Sequence, residues 1–117
     1  MQNMKLLVAA LEYIENHLSD EISTADVAAA CFSSKSTIEK LFRCVHGVSV
    51  HEYIIRRRMM FAARKLSQCP QLPIIDIALE YGYSTHESFA RAFESVWNCK
   101  PSEFRNLKFT ELFPRLS

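Results

Sequence analysis

Glycine is almost missing from this chain, with two in 117 residues, and proline appears only four times. So few breakers in a sequence that is 49% hydrophobic predict one small, packed, all-helical domain or two small lobes. Missing too are a phosphate loop, a nucleophile elbow, a metal motif and a paired acidic cleft, which sets the common enzyme classes aside. No stretch approaches the ~18 apolar residues of a membrane span, and the N-terminus lacks the basic-then-apolar order of a signal peptide. No membrane partner and a cytoplasmic location are expected. The four cysteines, Cys31, Cys44, Cys69 and Cys99, contain no Cys-x-x-Cys pair, which points to reduced thiols. Cys44, His46 and His51 can be drawn as a cluster, but their spacing matches no common zinc pattern and a fourth ligand is lacking. Neither a metal nor a cofactor is expected.

Charge of one sign is scarce only in the total, which is +1. Residues 1 to 30 hold one base and five acids, residues 31 to 65 eight bases and two acids, and residues 66 to 117 five bases and six acids. The middle third therefore carries a positive excess of six, a local field of the kind a phosphate backbone responds to. A solvated helical surface would give the same pattern, so charge alone does not decide.

Apolar spacing marks the helices. Met4, Leu7, Leu11, Ile14 and Leu18, with Val8 beside them, predict an amphipathic first helix over residues 3 to 18. Ser23 and Asp26 read as an N-cap, with Ile22 and Val27 as its hydrophobic staple, and start a short alanine-rich second helix at about residue 24 that ends near Cys31. Phe32-Ser33-Ser34 makes a turn. Ile38, Leu41, Phe42 and Val45 form the inner face of a third helix closed by Gly47, opposite a polar stripe of Ser36, Glu39, Lys40 and Arg43. Ser49 to Glu52 is a Ser-x-x-Glu capping box that launches a long fourth helix to about Gln68, ended by Pro70 and Pro73. A fifth helix spans 74 to 81, with Gly82 supplying the left-handed conformation at its end. The sixth spans about 85 to 97, with Phe89, Ala92, Phe93 and Val96 inward and Glu87, Arg91 and Glu94 outward. Pro101 opens a seventh, which carries Phe104 and Arg105.

Two of these passages repeat. Ala28 and Phe32 fall on Ala78 and Gly82 at an offset of 50, and Ile38, Lys40, Phe42, Gly47 and Tyr53 fall on Phe89, Arg91, Phe93, Asn98 and Phe104 at 51. Each passage reads as short helix, turn, second helix, the helix-turn-helix pattern.

The spacing Ala78, Gly82, Tyr83, Phe89, Arg91, Phe93, Pro101, Phe104, Arg105 resembles the signature of the AraC/XylS family of bacterial transcription regulators. Tyr53-Ile54 with Arg57, Met59, Ala63 and Leu66 is similar to that family's linker helix. The resemblance covers roughly residues 4 to 107. It implies seven helices in two helix-turn-helix lobes, about 1–49 and 70–107, joined by a long linker helix at about 50–68, with both recognition helices in successive major grooves. Phe32 stands where many members have glycine, and Lys100 where many have Ser or Thr before proline.

Carried over by position, the resemblance places Ser36, Glu39 and Lys40 in one groove and His86, Glu87, Ser88 and Arg91 in the other. Base reading suits these residue types: a guanidinium can bond guanine O6 and N7 together, and a carboxylate can accept from cytosine N4. Lys35, Arg43 and Arg56 are weaker phosphate candidates. The same residues allow plainer readings. Ser84 to Glu87 is also a capping box that would occupy Glu87, and Arg56-Arg57-Arg58 point about 100° apart and cannot all face phosphate. The phenylalanines and Trp97 are expected in the core or between the lobes, not as base-stacking platforms. The resemblance implies a sequence-specific transcription regulator, and an activator as the family's commoner mode. The expected partner is double-stranded DNA, with RNA polymerase for an activator; an interaction module that kept the fold with little DNA binding is the alternative. Beyond Arg105, the apolar residues of 108–117, with Leu107, leave two expectations open: the start of a further domain through which any effector would act, or a tail that folds back onto the two lobes of a single-domain activator.

Overall fold

The structure, a computed structural model, describes residues 2–107. Among them are seven α-helices and no strand: α1 (Gln2–Asn16), α2 (Thr24–Ala30), α3 (Lys35–His46), α4 (Val50–Gln68), α5 (Ile74–Glu80), α6 (His86–Trp97) and α7 (Pro101–Asn106). None is long and apolar enough to cross a membrane. The apolar tail singled out above lies outside the described residues, apart from Leu107. The chain divides into two compact units, one ending at Arg58 and the other beginning at Met59, so the helix expected as a separate linker contributes its first half to one and its second half to the other.

In the first unit α1, α2 and α3 enclose a core of Leu7, Ala10, Ile14, Val27, Ala28, Ile38 and Phe42, with Val50 and Ile54 of α4 also buried. Three inward assignments fail here. Met4, Val8 and Val45 are exposed, because the buried arc of α1 runs through Leu7, Ala10 and Ile14, and that of α3 through Ile38 and Phe42. The arc of α3 continues to His46, whose ring packs on Phe42 and Tyr53 at 5.3 and 4.7 Å between centroids. Helix α1 also stops two residues early, at Asn16. Arg58 donates from Nε to the carbonyl oxygen of Leu18 at 2.9 Å and from Nη2 to that of Asp20, satisfying groups in the connection that follows the helix. Its neighbour Arg57 donates from Nε to Glu15 at 2.7 Å, and Arg56 pairs with Glu52 one turn back at 3.0 Å. The three arginines thus point in different directions, each to partners of its own.

The second unit buries Met59, Ala62, Ala63 and Leu66 of α4 with Ile77, Ala78, Phe89, Phe93 and Phe104. Phe93 is its centre: Phe89, Trp97 and Phe104 lie 5.9, 6.3 and 5.4 Å away between centroids, the last edge-on. Trp97 is partly exposed, yet its indole Nε1 donates to the Met59 carbonyl oxygen at 3.0 Å. Arg105 closes the end of α4, donating to the carbonyl oxygens of Leu66 and Cys69, both at 3.2 Å.

The repeat seen in the sequence is a repeat of backbone conformation. After α2, Phe32 and Ser33 donate their N–H groups to the carbonyl oxygens of Ala29 and Ala28; after α5, Gly82 and Tyr83 donate to those of Leu79 and Ala78, with matching distances of 3.2 and 2.9 Å. Both are Schellman turns, which need one left-handed residue. Gly82 takes it at φ 88°, and Phe32 is held there at φ 53°. A second left-handed position ends each recognition-type helix, Gly47 at φ 72° and Asn98 at φ 59°. Asparagine tolerates that region through local hydrogen bonding, whereas phenylalanine carries a cost of about 1–2 kcal/mol. Phe32 is also 98% exposed, so the expectation that the phenylalanines are core residues fails at this position. The turn requires its backbone to turn outward and leaves its ring no core to enter.

Candidate nucleic-acid interface

Each second helix of the repeated pair starts from a side-chain cap and ends at a left-handed residue. Ser34 Oγ accepts from the Thr37 N–H at 3.1 Å, and Thr85 Oγ1 from that of Ser88 at the same distance. Both caps satisfy an N–H that the first turn leaves free. Because Thr85 is the cap, the capping box drawn from Ser84 to Glu87 does not form, and Glu87 is left exposed. The cap uses Ser88 instead. Its hydroxyl bonds to Thr85 Oγ1 at 2.9 Å and donates to the Thr85 carbonyl oxygen at 3.0 Å, so a side chain expected at a base edge is occupied by its own helix.

Once the inner faces are buried, equivalent outward stripes remain. On α3, Ser36, Lys40 and Arg43 are exposed at i, i+4 and i+7; on α6, Glu87, Arg91 and Glu94 are exposed at the corresponding positions, 51 residues on. Lys35 and His86 stand exposed as the first residue of each helix. Among the described residues Lys35, Lys40, Arg43 and Arg91 make no ion pair, whereas Arg56 is tied to Glu52 and is less free for phosphate than expected. The two stripes differ in sign. That of α3 carries two cations with Lys35 beside it, and that of α6 sets a single arginine between two acids. Sequence reasoning placed Glu94 outward without counting it as part of a site; its i+7 spacing from Glu87 is the signal.

Glu39 does not lie on the outward stripe. Expected to accept from cytosine, it is half-buried, and both carboxylate oxygens are engaged inside the first unit. Oε1 accepts from the Thr24 hydroxyl at 3.1 Å, and Oε2 from the Val50 N–H at 3.4 Å, at the start of α4. A carboxylate there satisfies a free N–H and faces the positive end of the α4 dipole. Glu39→Ala is therefore expected to lower stability by about 1–3 kcal/mol while leaving base preference alone. Urea denaturation run beside binding to a panel of base variants checks this; unchanged stability with an altered preferred base would return Glu39 to the reading face.

Thr37, absent from the expected site, and Cys44, weighed only as a metal ligand, are both exposed on the Lys40 side of α3. Together with Lys40 and Asn3 of α1 they line one shallow groove. Cys44 is open to solvent, while burial pushes the Cys31 and Cys99 thiols up. All four cysteines are free.

Comparisons with known proteins bear on the family and the fold. A family model described as "Helix-turn-helix domain" matches residues 27–107. The HTH-type transcriptional activator AarP of Providencia stuartii is 37% identical over 95 residues, covering 81% of this chain and 70% of AarP. The regulatory protein SoxS of Salmonella typhimurium is 30% identical over 106 residues, 91% of this chain and 98% of SoxS. Among solved structures, an AraC-type transcriptional regulator from Chromobacterium violaceum superposes with a TM-score of 0.81 at 26% identity, covering 87% of this chain and 90% of that one.

Proposed function

Since this chain belongs to the AraC/XylS family of helix-turn-helix transcription regulators, we propose that it activates transcription by reading double-stranded DNA through α3 and α6, placed in successive major grooves. One observation carries the reading: two capped helices, closed by the same turn, present polar stripes in the same register, with Ser36, Lys40 and Arg43 on one and Glu87, Arg91 and Glu94 on the other. An apolar inner face holds such a helix, and an outer face of donors and acceptors reads base edges. Arg91 is the principal reader, assisted by His86 and Glu87; Ser36 and Lys40 read in the other groove, and Lys35 and Arg43 hold phosphate. The relatives named as an activator and a regulatory protein support activation. RNA polymerase is then the protein partner, and the cytoplasm the compartment.

Selection of bound sequences from a random DNA pool, followed by titration at rising salt, tests the proposal. Neutralised phosphates release counterions, so affinity for the selected site is expected to fall steeply with salt. Two heads one helical turn apart would also lose each other when about five base pairs are inserted between their segments, which turns one to the opposite face. Unchanged affinity for that probe defeats two-groove docking. The absence of any salt-dependent DNA binding defeats DNA reading altogether and leaves an interaction module.

A further inference from the structure

Phe32 is the one residue of the repeated turn whose side chain is costly where it stands. Its counterpart is Gly82, the hydrogen bonds of the two turns are the same, and only Phe32 places a large ring wholly in solvent. A backbone outlier of this kind is a reason to look for a function. The ring borders an open groove lined also by Lys5 and Leu6 of α1 and by Cys31, Ser33 and Thr37. No acid lines it. Thr37 and Asn3 continue into the groove along Lys40 and Cys44, so Phe32 stands at the edge of the outward face of α3, with exposed Lys35 three residues on.

We propose that Phe32 is a DNA contact, its ring resting on apolar carbon of the duplex while Lys5 and Lys35 hold the neighbouring phosphates. The inference rests on α3 entering the major groove. Charge complementarity selects the partner: an exposed aromatic ring bordering a groove that holds Lys5, with exposed Lys35 three residues on, suits an anionic polymer that also offers apolar atoms. Thymine C5-methyl groups and deoxyribose carbons are the two such sources at a groove edge.

The test measures melting temperature and affinity together, on the site selected by the wild-type chain. Phe32→Gly relieves the left-handed strain and is expected to raise the melting temperature by a few degrees, about 4 °C. It is nevertheless expected to bind about tenfold more weakly, the factor that follows from losing a buried ring. Phe32→Asn, which tolerates the same backbone, loses as much affinity, and Phe32→Leu keeps most of it. Deoxyuridine replacing each thymine in turn separates the sources: one position that weakens the wild type but not Phe32→Gly identifies a methyl contact, and indifference at every position identifies deoxyribose. If the glycine and asparagine variants bind within about twofold of a wild type that itself binds steeply with salt, the contact is wrong while DNA reading stands. A wild type without salt-dependent binding overturns both. Loss of a wild-type dimer in Phe32→Gly, with DNA affinity intact, would assign the ring to a second copy of the chain and overturn the DNA contact.

Discussion

Phe93→Ala is expected to destabilise the second unit by about 3–5 kcal/mol, the largest effect of any single change considered for this chain. The ring is fully buried and meets Phe89, Trp97 and Phe104 at aromatic contact distances, so its removal leaves a cavity that three large side chains cannot readily close. It also sits two residues from Arg91 on the same helix, so the platform that aims the guanidinium loosens with it. Thermal and urea melts followed by circular dichroism measure the loss. A cost below about 1 kcal/mol would mean that the second unit is not organised around this ring. Weaker DNA binding by Phe93→Ala therefore says nothing about base contacts until it is compared with Arg91.

Arg91→Ala is expected to leave stability within about 0.5 kcal/mol, because the side chain is exposed and without an ion pair among the described residues. On the selected site it is expected to cost about 1–3 kcal/mol of binding and to relax preference at one or two base pairs. Glu87 and Glu94 sharpen the expectation. A guanidinium between two carboxylates gains little from wandering toward phosphate, so most of its contribution should be specific to sequence. Lys40, at the same register of α3 but with Arg43 and Lys35 nearby, is the contrasting case. If Lys40→Ala weakens every probe equally and flattens the salt slope by about one unit, Lys40 binds phosphate. If Arg91→Ala behaves that way too, neither residue reads bases.

Much of this is legible in the sequence because it is governed by local rules. The helices and their ends follow from apolar spacing, from caps such as Ser23 with Asp26, and from Gly47 and Gly82 at left-handed positions. The repeat at offsets of 50 and 51 set the register of α3 and α6, and with it the outward direction of Lys40 and Arg91. The errors fall where a side chain had a choice of partner. Met4 and Val8 share a helical period with Leu7 and Ile14, but periodicity fixes an arc, and only packing against neighbouring helices fixes its width and centre. Ser88 and Glu87 exchanged roles because a cap one residue later, at Thr85, moved the free N–H with it.

The sequence by itself determined the helices, their repeat and the family, since propensity, capping and spacing act over a few residues and are written in order along the chain. Tertiary structure alone decided which polar groups are still free to meet DNA. Glu39 turned inward because Thr24 and the start of α4, fifteen and eleven residues away, offered it hydrogen bonds that no local pattern announces. Arg57 and Arg58 were claimed by Glu15, Leu18 and Asp20 from about forty residues off. Phe32 remained outside for the opposite reason. Two backbone hydrogen bonds fix its turn in a conformation its side chain disfavours, and the core of its unit is closed without it.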